Sequence, residues 1–431
     1  MSELSLPREV NFQAPMPSLP DGALSTLMSV QSTNGISFSN GQVIQFDLPS
    51  QAGLYIIPSS VYIRYKYQIQ ASGTTAPTIV RKPAYTLITR LEEFIGSQPI
   101  SSVYQYNLVA NGWIDQNFSV ADVIGQFAGF GLSDNPTFAD QTDGQDGNGT
   151  GTNSGLFTGY VAAPLVCSSL AGLSHYYPTS LTAPWRIQLT VAPVSEIVSV
   201  TANLTSATII QPELCFQVIN LGSAVDAMVA QMAPTLKLKT TGYAAASQSI
   251  ASATTGYQTL PFNHRYESLT SLYLYSTTSD KTKGVNAWGD SFNPMGTAGV
   301  NASIQFQIGQ SMYPQLPLNN ATGGLPAILQ YLRMCNSGSI TDQRNTMAIQ
   351  YPNWNQFAGN SIVGIPLAKT VPSSPYALTS LLSGVSATQS PINVLLNIGT
   401  AFNSAMSFYL VAEYDMIVEI LPAMRQVNVV C

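Results

Sequence analysis

Met406-Ser-Phe-Tyr-Leu-Val-Ala-Glu-Tyr-Asp-Met-Ile-Val-Glu-Ile420 sorts its residues with a period of two. Met406, Phe408, Leu410, Ala412, Tyr414, Met416, Val418 and Ile420 alternate with Ser407, Tyr409, Val411, Glu413, Asp415, Ile417 and Glu419. Successive side chains of a strand point to opposite faces, so this spacing predicts one long strand and no helix. The same pattern recurs where Val61, Ile63, Tyr65, Tyr67 and Ile69 oppose Tyr62, Arg64, Lys66 and Gln68. Further strands are expected over Gln42–Leu48, Leu87–Ile95, Trp185–Val191, Thr208–Ile219, Ser268–Tyr275, Ser303–Ile308 and Ser361–Pro366. Clusters of Gly, Pro, Asn and Ser separate them, which is the punctuation of an all-β chain.

Three short segments carry apolar residues at helical spacing: Val120/Val123/Ile124/Phe127, Val225/Met228/Val229/Met232 and Leu325/Ile328/Leu329/Leu332. Ser119 and Ser223 stand where N-caps would satisfy free backbone N–H groups, and Pro326 suits a first turn. The middle helix, ending near Pro234, reads as a connection between two domains.

A chain of 431 residues exceeds what one core usually supports, so two domains are expected. Charged residues make up 9% of it, against about 25% in an average soluble protein. Apolar content of 45%, with 21 Tyr and 16 Phe, is ample for folded cores. A net charge of −6 argues against a chain whose main role is to grip phosphate backbones. Met1–Gly22 lacks the basic and apolar regions of a secretory signal, so the usual secretory route is not expected. Asn393–Ala412 is apolar but interrupted by Asn397, Gly399, Asn403 and Ser404, so a soluble chain is expected rather than a membrane span.

Residues 35–220 and 235–421 form near-equal halves with one outline. In each, a strand runs into Ile-Gly-polar (Ile95-Gly-Ser-Gln98 and Ile308-Gly-Gln-Ser311), then a Pro, a helical stripe, a polar Gly-rich region and a long terminal strand. The expected division is an N-terminal arm (1–34), a first unit (35–222), a connecting helix (223–234), a second unit (235–421) and a tail (422–431). The alternation alone does not assign eight strands to either half.

Val43-Ile-Gln-Phe-Asp-Leu48, Leu54-Tyr-Ile-Ile57, Val61–Ile69 and Tyr85–Ile100 resemble the opening strands of double jelly-roll major capsid proteins. That lineage includes adenovirus hexon, internal-membrane bacteriophages, Polinton-like elements and many large DNA viruses. Tyr266–Tyr275 and Ile304–Leu318 are similar to a looser second copy, and Thr208–Ile219 and Phe408–Ile420 to the two closing strands. Many relatives place Asn before the turn Gly, where this chain has Ile95.

The resemblance implies two tandem jelly-roll β-sandwich barrels with a few short helices, and a non-enzymatic capsid role. Three chains would give six near-equivalent barrels, a trimeric pseudo-hexameric tile of an icosahedral shell. Implied partners are two further copies, neighbouring capsomers, vertex proteins and an internal membrane, within a virion assembled in the host cell. No direct sequence-specific nucleic-acid binding is expected, since Met1–Thr33 has Arg8 as its one basic residue. Ser133–Gly155 and Ser276–Gly299 are polar, Gly-rich loops expected to cover barrel tops or reach a neighbour. Low charge suits surfaces packed edge to edge without desolvating ions. Rival readings are a minor or vertex capsid protein with one jelly roll, and a carbohydrate-binding β-sandwich.

Catalytic machinery is not evident. His175 and His264 read as structural, and Glu92 and Glu93, adjacent on a strand, must face opposite ways. No GxSxG, P-loop or HExxH occurs, and no cofactor is expected. Cys167, Cys215, Cys335 and Cys431 lack metal-ligand spacing and read as free thiols. Asp140, Asp143 and Asp146 recur among glycines, but their spacing departs from a calcium loop and no metal site is assigned. Tyr104/Tyr106, Tyr273/Tyr275, Trp185, Trp288 and Trp354 would be platforms for sugars or bases if exposed; core or interface packing is the expected fate of the strand tyrosines.

Overall fold

The computed structural model describes residues 24–71, 83–117, 155–197, 204–232, 235–278, 303–319, 363–368, 384–399, 405–422 and 426–431. The helical stripes at 120–127 and 325–332 lie outside these, with Ser119 and Pro326, as do most of both long loops.

Among the described residues, eleven strands precede the connecting helix: β1 (Leu24–Gln31), β2 (Ser37–Ser39), β3 (Val43–Asp47), β4 (Leu54–Ile56), β5 (Tyr62–Ala71), β6 (Ile88–Ile95), β7 (Gln98–Tyr104), β8 (Gly155–Pro164), β9 (Tyr177–Pro178), β10 (Trp185–Val191) and β11 (Leu204–Asn220). Nine described strands follow it: β12 (Leu236–Ile250), β13 (Gly256–Phe262), β14 (Leu269–Thr278), β15 (Ser303–Ile308), β16 (Ser311–Asn319), β17 (Val363–Pro366), β18 (Ile392–Ile398), β19 (Met406–Leu421) and β20 (Gln426–Val430). Described helices are α1 (Pro83–Thr86), α2 (Tyr106–Asn117), α3 (Val194–Ile197) and α4 (Ser223–Met232).

Sheet order supplies the eight strands per half that alternation alone left unassigned. One sheet of the first half runs β3-β10-β6-β7, and its counterpart in the second runs β13-β18-β15-β16. The other sheet runs β8-β5-β11 with β1 and β2 on the far edge of β11, and its counterpart runs β17-β14-β19-β12. Every pairing is antiparallel. Taking β1 and β2 as one edge strand, both halves therefore hold the same eight strands in the same order, a jelly roll written twice. We call them barrel 1 and barrel 2. β4, β9 and β20 are short additions.

Alternation does the sorting between the facing sheets. Trp185, Ile187, Leu189 and Val191 are buried on β10, as are Ile392, Val394, Leu396 and Ile398 on β18, with half-exposed residues between them. Each such aliphatic side chain contributes about 1.5–3 kcal/mol on burial.

The repeated Ile-Gly-polar signature is a hairpin in both barrels. Ile95 pairs with Gln98 and Ile308 with Ser311, leaving two-residue turns whose first residues, Gly96 and Gly309, have φ +60° and +61°. Two-residue hairpins need a positive φ there, which glycine adopts without a Cβ penalty.

Several expectations need correction. Leu24–Gln31, assigned to an arm, is a strand paired with β11, and Gln426–Val430, assigned to a tail, is paired with β19. Leu24–Gln31 carries no sustained alternation and Gln426–Val430 is only five residues long, so in both the partner strand supplies the order. Helix α4 starts on Ser223 itself, so Ser223 lies in the first turn rather than capping it. Helix α2 was not anticipated, because Tyr106, Leu108, Val109, Ala110 and Ile114 are buried together with Asn107 and Asn111. A helix enclosed on all sides shows no amphipathic stripe.

Candidate functional site

In a fold made of two barrels, the surface that fixes their relation is the place to look for function. Barrel 1 presents α2 and the segment 167–174; barrel 2 presents the outer faces of β12, β14 and β19. Strand β12 packs against β7. At this seam the Thr240 hydroxyl donates to the Ser169 carbonyl at 2.7 Å, and the Ser174 N–H donates to the Lys239 carbonyl at 2.9 Å. Gly112 of α2 lies so close to Tyr275 that a Cβ would stand 2.2 Å from the tyrosine oxygen.

The polar face of the long C-terminal strand is what the seam covers. Tyr409, Val411 and Asp415 are buried although they alternate away from barrel 2's own core. Glu413, beside them, accepts from the hydroxyls of Ser271, Tyr273 and Tyr243. Trp113 of barrel 1 hydrogen-bonds Tyr243. Burial, reinforced by the Glu413 carboxylate, pushes the Tyr243 and Tyr273 hydroxyls well above the usual phenol range, so both stay protonated donors. Cys167, across the seam, is raised for the same two reasons and stays an inert thiol. Lys239 and Asp415 form an ion pair at 2.9 Å, and the Ser268 hydroxyl donates to the other Asp415 oxygen at 2.7 Å. Additional partners of this kind offset the cost of taking two charges out of water.

Two further buried carboxylates tie loops to barrel 1. Glu93 accepts from the hydroxyls of Ser101 (2.7 Å) and Ser168 (2.6 Å) and from the N–H groups of Ser169 (2.6 Å) and Leu170 (3.2 Å). It thereby shapes the segment that Thr240 touches. Asp226 of α4 accepts from the Gly53 N–H at 2.7 Å, the Tyr55 hydroxyl at 2.9 Å and Ser180. The connecting helix is thus pinned to barrel 1.

The residues singled out by sequence do not converge. Glu92 faces outward and pairs with Arg90 at 2.6 Å, opposite to Glu93, as strand geometry requires. His175 is exposed beside Ser174, whereas His264 is buried and donates from Nε2 to the Leu410 carbonyl at 3.1 Å. Cys167 and Cys215 are buried and Cys431 exposed; all three are free. Trp185, Tyr106, Tyr273 and Tyr275 are buried, so they offer no sugar platform. Tyr104 is exposed but covered by the Arg90 guanidinium, 4.1 Å from its ring centre. Cys335, Asp140, Asp143, Asp146, Trp288 and Trp354 lie outside the described residues. Among the described residues no cluster of His, Cys, Asp and Glu is arranged to hold a metal, and no helix is long and apolar enough to cross a membrane. The Asn393–Ala412 stretch contributes to β18 and β19 instead.

Glu413, Asp226 and Gly112 escaped the sequence reading. One signal was present: Tyr409, Val411 and Ile417 put apolar residues on the polar face of the C-terminal strand, as expected when both faces are covered.

No protein-family model and no curated protein matches the chain. Solved structures do match. The Faustovirus major capsid protein aligns over 94% of this chain and 91% of its own at 10% identity, with a TM-score of 0.60. A chain of the PBCV-1 virus capsid aligns over 96% and 98% at 13% identity, with a TM-score of 0.54. The mavirus major capsid protein aligns over 99% and 95% at 11% identity, with a TM-score of 0.50. At such identities the likeness establishes the fold, that of double jelly-roll capsid proteins, over almost the whole chain. A single jelly roll, required by the minor or vertex alternative, is ruled out by the topology.

Proposed function

We propose that this chain is a viral major capsid protein, acting as a homotrimeric, pseudo-hexameric capsomer of an icosahedral shell. One observation carries the reading: two complete jelly rolls of identical strand order are fused in one chain through a buried seam. A tandem repeat joined side by side makes three chains present six similar barrels, the count a hexagonally packed tile needs. The neighbours' fold supports it, since the Faustovirus and mavirus chains are named as major capsid proteins. The role is structural, with no catalytic step assigned to any residue. The first unit runs from β1 at Leu24 to residue 222 and the second from residue 235 through β20 at Val430, joined through 223–234.

Within the virion, made and assembled in the host cell, each capsomer would contact neighbouring capsomers and vertex proteins laterally. The first residues of the chain, nearly free of basic side chains, would lie under the shell toward an internal membrane or an adjacent capsomer rather than bind the genome. Light scattering on the purified chain, with electron microscopy of the same fraction, tests the reading. Expected is a trimer with six barrels in a ring; a stable monomer or a pentamer at micromolar concentration overturns it.

A further inference from the structure

The internal seam has a definite polarity. The edge strand β12 of barrel 2 meets β7 of barrel 1. By strand order, β1 is the counterpart of β12 and β16 the counterpart of β7, and among the described residues neither of these two edges pairs with a further strand. Both expose apolar side chains: Leu24 is 63% and Leu27 65% exposed on β1, Met312 36% and Leu316 80% on β16. Their register agrees with the seam. Leu27 pairs with Gln217 next to core Val218, as Lys239 pairs with Ile417 next to core Val418. Leu27 therefore stands on the same outward-facing side of its edge strand as Lys239, whose carbonyl receives the Ser174 N–H.

We propose that a second copy of this chain docks its β16 edge, through Met312 and Leu316, against the β1 edge of the first, through Leu24 and Leu27. This rests on the capsomer reading and names the surface that reading requires. The occupant follows from the internal repeat, because the contact between copies reproduces, with the barrels' roles exchanged, the contact already made within one. It is heterologous, each copy offering one β1 edge and one β16 edge, so repetition generates a ring that closes once the rotation per copy matches. The neighbouring outer sheet fits a weakly charged docking face: Arg64 is already engaged by Glu213, and Lys66 lies over the Tyr160 ring at 5.7 Å.

Two double variants test it, Leu24→Asp/Leu27→Asp and Met312→Asp/Leu316→Asp, each checked by circular dichroism for a native melt and run by sedimentation velocity beside the unaltered chain. Because the four side chains are exposed or half-exposed, the fold is expected to persist; the single variants Leu27→Asp and Leu316→Asp take their place if a melt is lost. Each variant alone should lose the trimer and sediment as a monomer at micromolar concentration. Mixed one to one, they retain one intact edge of each kind and should form a heterodimer that grows no further. A trimer of the unaltered chain that survives in either folded variant overturns this interface while leaving the capsomer reading intact. Monomeric variants that fail to pair on mixing overturn the head-to-tail contact. A monomeric unaltered chain sinks the capsomer reading, and this inference with it.

Discussion

Glu93 shows how one buried side chain sets a surface. Each of its two oxygens accepts one hydroxyl and one backbone N–H. Hydroxyls can rotate to other partners; the N–H groups of Ser169 and Leu170 cannot. Glu93→Gln replaces one oxygen by a donor and strands one of those N–H groups, at about 1–3 kcal/mol. Urea unfolding of the variant should show a lower midpoint with an unchanged slope. His264 makes the opposite demand, since burial holds its imidazole below the ordinary histidine range and its Nε2–H serves the Leu410 carbonyl. The unfolded chain therefore binds the proton first. Stability is fully present above roughly pH 6.5, the unfolded value, and falls as pH drops from there toward the lower folded value. His264→Gln keeps a donor but cannot titrate, so thermal melts between pH 7.5 and 5 should show a smaller acid loss in the variant than in the parent chain.

Among the elements, α4 is held by chemistry rather than by length. A helix of ten residues is marginal alone, and its anchor is the Asp226 carboxylate on Gly53, Tyr55 and Ser180. Asp226→Asn removes one acceptor oxygen, and backbone amides of 223–232 should then exchange hydrogen at least about tenfold faster, equivalent to the ~1.4 kcal/mol or more that a lost buried acceptor costs. Unchanged exchange would place the anchor elsewhere. Elements of this kind divide what sequence discloses from what it hides. Strands with one buried face, such as β5, β10 and β18, announce themselves because solvent sorts their residues two by two. The turns at Gly96 and Gly309 announce the repeat because the backbone there requires a residue without a Cβ. β1 and β20 do not, since their order comes from the partner strand, and α2 does not, since barrel 2 covers the side that water would have marked. Glu92 and Glu93 were separable by parity alone, but the donors around Glu93 come from residues 101 and 168–170, a proximity only the fold creates.

For the molecule as a whole, the 9% charge content is the property that the paired barrels explain. The outer face of the β3-β10-β6-β7 sheet uses its charges internally: Arg186 binds Asp47 at 2.7 Å and Arg90 binds Glu92 at 2.6 Å. Burial works to raise the Asp47 carboxyl, but Arg186, Gln45 and Thr33 together hold it below the usual carboxylate value, so the pair stays ionised at neutral pH. The equivalent face of barrel 2 carries Gln307, bonded to Asn393 at 3.3 Å, and no charged residue on its described strands β13, β15, β16 and β18. Charges neutralised within a chain have little left to offer a neighbour, and an edge built on leucine and methionine attracts through lost water instead. Raising sodium chloride from 0.01 to 1 M shortens the screening length from about 30 to about 3 Å, which abolishes attraction between exposed ions and leaves apolar contact untouched. The dissociation constant of the oligomer, measured by sedimentation across that range, should therefore hold steady or fall. A rise of tenfold or more would mean that ion pairs, not the β1 and β16 edges, hold the copies together.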